Sequence, residues 1–125
     1  MEANRDPLTE KIIGAAIEVH RWLGPGLLES NYEDCLCHEL SIREMGFRRQ
    51  VPVPIRYKGI SLKSKYRLDV VVEELVVLEI KSVDHLLGIH EAQLLTYLRH
   101  TGVRKGLLIN FNVRLLVDGV RRFLL

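Results

Sequence analysis

The sequence has few cysteines, few aromatic residues and no long apolar run. Cys35 and Cys37 are its only cysteines. On a helix they would point to nearly opposite sides, so we expect two reduced thiols, not a disulfide or a zinc site. No apolar run approaches the roughly 20 residues of a membrane span, and the first residues lack the apolar region of a signal peptide. We therefore expect a cytoplasmic protein with no membrane segment.

Size and charge exclude further classes of protein. A length of 125 residues suits one domain, residues 1–125, with a core of its own. The net charge is only +2, so the chain as a whole is not strongly basic, although a local basic patch is not excluded. Aromatic residues make up 6% of the chain, so extensive stacking on nucleic-acid bases is not expected.

Hydrophobic periodicity and turn residues predict an α/β domain with a mixed sheet. Asp6-Pro7 predicts the start of a helix whose apolar stripe ends at Trp22. A second helix runs to about Met45, and a third covers residues 90–100. Prolines demote the segment 50–57 to an edge or irregular strand. The remaining predicted strands are a hairpin within residues 66–81, then residues 106–111, 113–117 and 120–125, so the predicted order is α-α-β-β-β-α-β-β.

The hairpin carries charges in two runs that are otherwise apolar enough to be buried. Asp69 interrupts the first run, and Glu79 and Lys81 interrupt the second. A short acidic turn between β-branched runs is typical of a hairpin. A buried charge is costly unless it is paired or holds a metal. These three charges therefore mark the hairpin as the candidate site.

The length of the hairpin loop decides whether the charges meet. Side chains alternate between the two faces of a strand, so Glu79 and Lys81 share a face. A two-residue loop would put Asp69 and Glu79 on opposite faces. A three-residue loop, residues 73–75, would pair Val72 with Val76 and place Asp69 opposite Glu79. We predict the three-residue loop.

Two carboxylates on adjacent strands repel each other unless a cation lies between them. Mg²⁺ or Mn²⁺ suits such a site, and Lys81 beside it could polarise a phosphoryl oxygen or position an attacking water. The residues alone leave open an ion-pair network of the same three side chains without a metal. Gln93 and Tyr97 share one face of the third helix. They could bind a substrate phosphate or an ordered water, or form a solvated polar face.

Several motifs follow one another in a recognisable order. The first is Gly26-Leu-Leu-Glu29-Ser-Asn-Tyr32, and the others are Tyr57-Lys58-Gly59, Leu68-Asp69, Glu79-Ile80-Lys81, Glu91-Ala92-Gln93-Leu-Leu-Thr-Tyr97-Leu98 and Gly106-Leu-Leu-Ile-Asn-Phe111. In these motifs, over about residues 8–123, the chain resembles the GxxExxY protein family, which is grouped with the PD-(D/E)XK nuclease superfamily. The resemblance implies a restriction-endonuclease-like α/β core, with a mixed central sheet flanked by helices.

The resemblance also implies roles for individual residues. Asp69 and Glu79 correspond to the two metal-binding carboxylates, and Glu29 to a helical acidic residue that joins the metal site. Lys81 corresponds to the catalytic lysine. Gln93 and Tyr97 correspond to a helix pair that braces the site or contacts the substrate backbone. The implied cofactor is Mg²⁺ or Mn²⁺. One position departs from the pattern, because Leu68 stands where the superfamily name has proline.

Other residues near these motifs admit two interpretations. Tyr32 is expected to pack or to support the site from behind. Glu33 could be a second helical metal ligand, but we favour a capping box with Ser30 or a role that supports the site from behind. His90 could reach substrate, but polarity at a helix start is the simpler explanation. Basic residues lead into the site and could hold phosphates, although a solvated face is their commoner meaning; they are Lys58, Lys63, Lys65 and Arg67, with Arg48 and Arg49 before them.

The expected function is metal-dependent hydrolysis of nucleic-acid phosphodiesters, with DNA favoured over RNA. A non-catalytic nucleic-acid-binding or regulatory module with the same fold is the first alternative. An assembly subunit whose C-terminal apolar strand pairs with a second copy, as a homodimer, is a weaker one. The sequence does not distinguish endonuclease from exonuclease activity or one bound metal from two.

Overall fold

A computed structural model describes residues 6–125 of the chain. The helices are α1 (Pro7–Leu23), α2 (Glu29–Ile42) and α3 (Gly88–Thr101). The strands are β1 (Phe47–Pro52), β2 (Ile55–Tyr57), β3 (Ile60–Leu62), β4 (Arg67–Val72), β5 (Val76–Lys81), β6 (Lys105–Asn110) and β7 (Val120–Leu124), with a 3₁₀ turn at Leu116–Gly119 before β7.

Five of the strands form one mixed sheet in the order β1-β4-β5-β6-β7. Strands β5 and β6 are parallel and joined through α3, whereas the other neighbours are antiparallel. One face of the sheet packs with α1 and α2, and the other packs with α3. Strands β2 and β3 form a separate two-stranded hairpin. This architecture confirms the predicted α/β restriction-endonuclease-like core.

The register of the β4–β5 hairpin agrees with the three-residue loop. Val72 pairs with Val76, and Val70 pairs with Leu78. Continued by one residue, this register puts Asp69 opposite Glu79. The backbone of the loop is held by a hydrogen bond of 2.9 Å from the Leu75 N–H to the Val72 carbonyl oxygen.

Helix α1 starts as predicted, because the Asp6 side chain accepts a hydrogen bond from the Thr9 N–H at 2.9 Å. The end of its predicted apolar stripe is wrong. Trp22 is 81% exposed, and its indole N–H donates to Glu18 at 2.9 Å. The last turn of α1 instead contacts the core through His20, which is buried, and Leu23.

Two strand predictions are corrected. Residues 50–57 do not form one strand. Val53 and Pro54 separate β1 from β2, and β2 then pairs with β3. The predicted edge position holds for β1. Residues 113–117 are not a strand, because 113–115 are bends and 116–117 already belong to the 3₁₀ turn. Their apolar pattern instead buries Leu116 in the core shared with α1.

Candidate active site

Asp69 and Glu79 lie beside each other at the point where the β4–β5 ladder stops. Beyond the Val70–Leu78 pair, side-chain carboxylates take the place of backbone carbonyl oxygens as hydrogen-bond acceptors. The Ile80 N–H donates to Asp69 Oδ2 at 2.7 Å, and the Asp69 N–H donates to Glu79 Oε1 at 3.3 Å. Each carboxylate therefore uses one oxygen to hold the backbone. Its other oxygen accepts no hydrogen bond from the described residues.

Burial makes the charge on this pair expensive. Burial, and next the charge of Asp69, raise the pKa of Glu79 to about 8. Burial also raises the pKa of Asp69 to about 6, against the opposing effect of the Ile80 hydrogen bond. The charges of Glu33 and Glu29 act in the same direction on Asp69, and that of Lys81 opposes them. The structure thus concentrates negative charge where water is scarce.

Lys81 ends β5 two residues after Glu79, so both side chains leave the same face of the sheet. It is half-buried and forms no ion pair among residues 6–125. Its charge lowers the pKa of both carboxylates. The ammonium group is therefore close enough to act on the pair while remaining free to meet a ligand.

Glu29 is the first residue of α2 and lies near the end of β5. Its Oε2 accepts a hydrogen bond from the Ser82 N–H at 3.4 Å, and the Ser82 hydroxyl donates to the Leu27 carbonyl oxygen at 2.6 Å. These contacts bind the start of α2 to the residue after Lys81. Within the described chain no three His, Cys, Asp or Glu side chains stand close enough together to hold a metal ion. Glu29 is therefore near the carboxylate pair but not in contact with it.

Tyr32 explains part of the G-x-x-E-x-x-Y spacing. It is fully buried and stacks on Phe111, with ring centroids 4.5 Å apart. Its hydroxyl donates to the Gly24 carbonyl oxygen at 2.6 Å and accepts from the Leu27 N–H at 3.1 Å. Tyr32 thus fixes the loop that delivers Glu29 to the end of β5.

Glu33 does not close a capping box, because α2 begins at Glu29 and Ser30 is already inside the helix. Glu33 is buried beside the site instead, where Arg49 and Gln50 hold its carboxylate at 2.9 Å each. Its charge still raises the pKa of Asp69. The predicted supporting position therefore fits the geometry, and the predicted cap is wrong.

Helix α3 covers the carboxylate pair with the predicted polar residues. Tyr97 is buried and Gln93 half-buried. Tyr97 packs in one cluster with Val71 and Val77, which lie on the same sheet face as the carboxylate pair. Burial, and next the charge of Glu79, raise the pKa of Tyr97 to about 12. His90 lies one turn earlier, where its Nδ1 accepts a hydrogen bond from the Leu87 N–H at 3.0 Å. His90 thus serves the helix start.

The basic residues divide into two groups. Arg48 and Arg49 are engaged in ion pairs with Glu74 and with Glu33 and Asp34. The other group is exposed and forms no ion pair in the part of the chain that the structure describes; it comprises Lys58, Lys63, Lys65 and Arg67. Of these two groups, the second therefore offers unpaired positive charge to a ligand.

Asn110 is a residue that sequence reasoning missed. It ends β6 beside Lys81 and is buried. Its amide oxygen accepts from the Val83 N–H at 3.1 Å, and its amide nitrogen donates to the Val83 carbonyl oxygen at 2.9 Å. Asn110 thus fixes the chain as it leaves β5. One polar residue at the end of an otherwise apolar strand was the available signal.

A sequence model of the PD-(D/E)XK nuclease superfamily matches residues 6–123. The chain belongs to the PD-(D/E)XK nuclease superfamily. No curated protein and no solved structure matches it. Among residues 6–125, no helix is long and apolar enough to cross a membrane.

PD-(D/E)XK nucleases generally use divalent metals, and the carboxylate pair suits that chemistry. Hard cations such as Mg²⁺ prefer carboxylate oxygens. Asp69 and Glu79 each present one oxygen that no described donor occupies. Burial is the main cause of the raised pKa values of both carboxyl groups, and a bound cation would favour their ionised forms. The donor set therefore fits a divalent cation.

Proposed function

We propose that the chain is a metal-dependent nuclease of the GxxExxY branch, which hydrolyses phosphodiesters of DNA in preference to RNA. The buried Asp69–Glu79 pair carries the proposal, because each carboxyl group has a free oxygen and because a cation would offset the cost of ionising them in a buried place. Superfamily membership supports nucleic acid as the substrate.

Two carboxylates and a helical glutamate form the proposed metal centre. Asp69 and Glu79 would hold Mg²⁺ or Mn²⁺, and Glu29 would contribute from the first turn of α2. A divalent cation bound there stabilises the negative charge that builds on the phosphate during hydrolysis. Tyr32 and Glu33 support this arrangement without touching substrate, Tyr32 through the loop before α2 and Glu33 through its charge.

The proposed mechanism gives the remaining polar groups a role towards substrate. Lys81 balances the carboxylates and orients the water that attacks phosphorus. Gln93 and Tyr97 donate hydrogen bonds to the phosphate from α3, and the raised pKa of Tyr97 keeps its phenol protonated at neutral pH. Lys58, Lys65 and Arg67 contact phosphates on either side of the bond that is cut.

Cleavage of single- and double-stranded DNA and RNA with Mg²⁺ or Mn²⁺ tests the proposal. We expect cleavage that EDTA abolishes and that Glu79→Gln lowers about 100-fold or more. Glu44→Gln is the matched control, because Glu44 is exposed and outside the site. Wild-type cleavage no faster than that of Glu79→Gln on every substrate would refute the enzyme. Binding without cleavage would favour the rival function, a non-catalytic nucleic-acid-binding or regulatory module.

The proposal includes three broader features. We take residues 1–125 as one domain, and we place the protein in the cytoplasm because both of its cysteines are free. A homodimer through β7 is also proposed, since β7 is an edge strand of the sheet. Light scattering measured against protein concentration tests the homodimer, which a monomer at all concentrations would contradict.

A further inference from the structure

A cleft of about 280 Å³ opens between β2, the residue before β4, and α3. Besides Ala92, its walls are two aromatic rings, two larger aliphatic side chains and two polar side chains. They are Tyr66, Tyr97, Ile55, Ile89, Gln93 and Thr96. A flat aromatic ring with polar atoms at its edge fits such a cleft, because its faces can contact the apolar walls and its edge can contact the polar side chains.

The exposed wall of the cleft is an aromatic ring on a fixed backbone. Tyr66 is 52% exposed, yet its carbonyl oxygen accepts from the Val53 N–H and its own N–H donates to the Ser64 hydroxyl, both at 3.0 Å. Its ring centroid lies 5.7 Å from that of Tyr97, at an angle of 43°. Tyr66 is therefore a preformed surface on which another ring can stack.

Tyr97 connects this cleft to the candidate active site. It packs against Val71 and Val77, which share the sheet face of Asp69 and Glu79. Gln93 precedes it by one turn and also lines the cleft. Tyr97 therefore belongs both to the wall of the cleft and to the helix face that packs over the carboxylate strands.

The surroundings of the cleft favour a polyanion. Residues 45–68 contain seven lysines and arginines and no aspartate or glutamate. Arg48 and Arg49 are paired with acids from elsewhere in the fold. The other five form no ion pair among residues 6–125 and are exposed; they are Arg56, Lys58, Lys63, Lys65 and Arg67. Lys65 and Arg67 flank Tyr66 directly, so unneutralised charge borders the stacking surface.

We propose that this cleft receives one unpaired nucleobase, and that the flanking basic run holds the backbone of a single strand. The inference rests on the proposed function for nucleic acid as the ligand, and it adds the strand type. A base in a duplex is covered on both faces by its neighbours, so it cannot enter the cleft without leaving the stack. One stacked base also agrees with the low aromatic content of the chain.

Equilibrium binding in EDTA tests the cleft without any cleavage. The probe is a fluorescent oligothymidylate of about 12 nucleotides, compared with the same strand in a duplex, and anisotropy gives Kd. Tyr66→Ala removes the stacking surface, and Tyr66→Phe retains it. Tyr57→Ala is the matched control, because Tyr57 is another exposed tyrosine, at 58%, within the same basic run but outside the cleft.

We expect the wild type to bind the single strand at least about tenfold more tightly than the duplex. Tyr66→Ala should weaken single-strand binding about tenfold, whereas Tyr66→Phe and Tyr57→Ala should change it less than about twofold. Replacing the bases of the probe with abasic sites should weaken wild-type binding by a similar factor. The same replacement should not weaken the Tyr66→Ala variant further, because both changes remove one contact.

Equal binding of duplex and single strand, or an abasic probe that binds as well as the intact one, would overturn the cleft proposal. Cleavage that requires Mg²⁺ and Glu79 would still stand in that case. Conversely, base-dependent binding through Tyr66 with no cleavage of any substrate would support the cleft and refute the proposed nuclease. The two proposals therefore fail separately.

Discussion

Replacing Glu79 with glutamine removes one charge from the carboxylate pair and changes little else. Glutamine has the same shape, and its amide oxygen can still accept the hydrogen bond from the Asp69 N–H. Glu79 is only 7% exposed, so its charge is poorly solvated in the folded protein. We therefore expect Glu79→Gln to stabilise the metal-free protein at alkaline pH.

The pKa of Glu79 sets the size of the gain. It is raised from 4.5 to about 8. Since a tenfold change in proton affinity corresponds to about 1.4 kcal/mol, the ionised carboxylate costs the folded state on the order of 5 kcal/mol. Burying the amide of the variant costs about 1–3 kcal/mol in lost solvation, which offsets part of this gain. The expected net gain of about 2–4 kcal/mol corresponds to a rise in Tm of roughly 6–15 °C.

The sign of the pH dependence follows from proton binding. Between about pH 4.5 and 8 the folded wild type binds more protons at Glu79 than the unfolded chain does. Raising the pH through this window therefore lowers the stability of the wild type. The variant lacks this contribution. Its advantage should be largest above pH 8. Near pH 5, where the folded wild type is already protonated, the charge costs less than about 1 kcal/mol, so the amide cost of about 1–3 kcal/mol should cancel the advantage or reverse it.

Thermal and urea unfolding in EDTA, at pH values from 5 to 8.5, measures this difference. Glu44→Gln is the control for the chemical change, since Glu44 is exposed and makes no side-chain hydrogen bond or ion pair within residues 6–125. Its stability should follow that of the wild type at every pH. A Glu79→Gln variant that is less stable than the wild type at pH 8, or whose advantage does not change with pH, would refute this reasoning. It would show that ionised Glu79 does not destabilise the folded protein.

Three further predictions concern the metal and the supporting structure. The affinity for Mg²⁺, measured by titration calorimetry, should rise with pH between about pH 6 and 8, because the cation competes with protons for the carboxylate pair; a constant affinity would contradict the assignment. Tyr32→Phe should lower the free energy of unfolding by about 1–2 kcal/mol, because the Leu27 N–H loses its partner. Unchanged urea unfolding would show that the Tyr32 hydroxyl does not stabilise the loop before α2. Gly119→Ala should lower it by about 1–3 kcal/mol, because a Cβ there would overlap the Asn110 carbonyl oxygen. Gly88→Ala is its control, because that Cβ meets no atom within 4 Å, and equal loss in both variants would contradict the overlap.

The hairpin register was predictable because only a loop with an odd number of residues places both carboxylates on the same face of the sheet. The conformation of that loop was not. Glu73 and Glu74 have φ angles of 53° and 57°, a region that turn chemistry normally reserves for glycine or asparagine. Burial of Val72 and Val76 fixes the register. Glu73 and Glu74 therefore adopt an unfavourable backbone conformation with positive φ.

The hairpin β2–β3 shows the opposite case. Its turn at Lys58-Gly59 was predicted, and Gly59 has the expected positive φ of 86°. Its second strand, Ile60–Leu62, was missed because all three of its residues are exposed, so no alternation of burial marked it. Glu33 was misassigned for a related reason: its partners Arg49 and Gln50 are 16 and 17 residues away, and local spacing favours a nearer partner.

Asp69 and Glu79 differ in what their carboxylates do for the fold, although both are proposed to bind metal. Asp69 Oδ2 takes the hydrogen bond from the Ile80 N–H at 2.7 Å, where the β4–β5 ladder has stopped. Removing that side chain would leave a buried backbone N–H without a partner, which costs about 1–3 kcal/mol. Glu79 takes a longer bond, of 3.3 Å, which glutamine can replace. Loss of activity in Asp69→Ala would therefore combine structural and chemical damage. Loss of activity in Glu79→Gln, together with a gain in stability, would be the signature of a residue retained for catalysis.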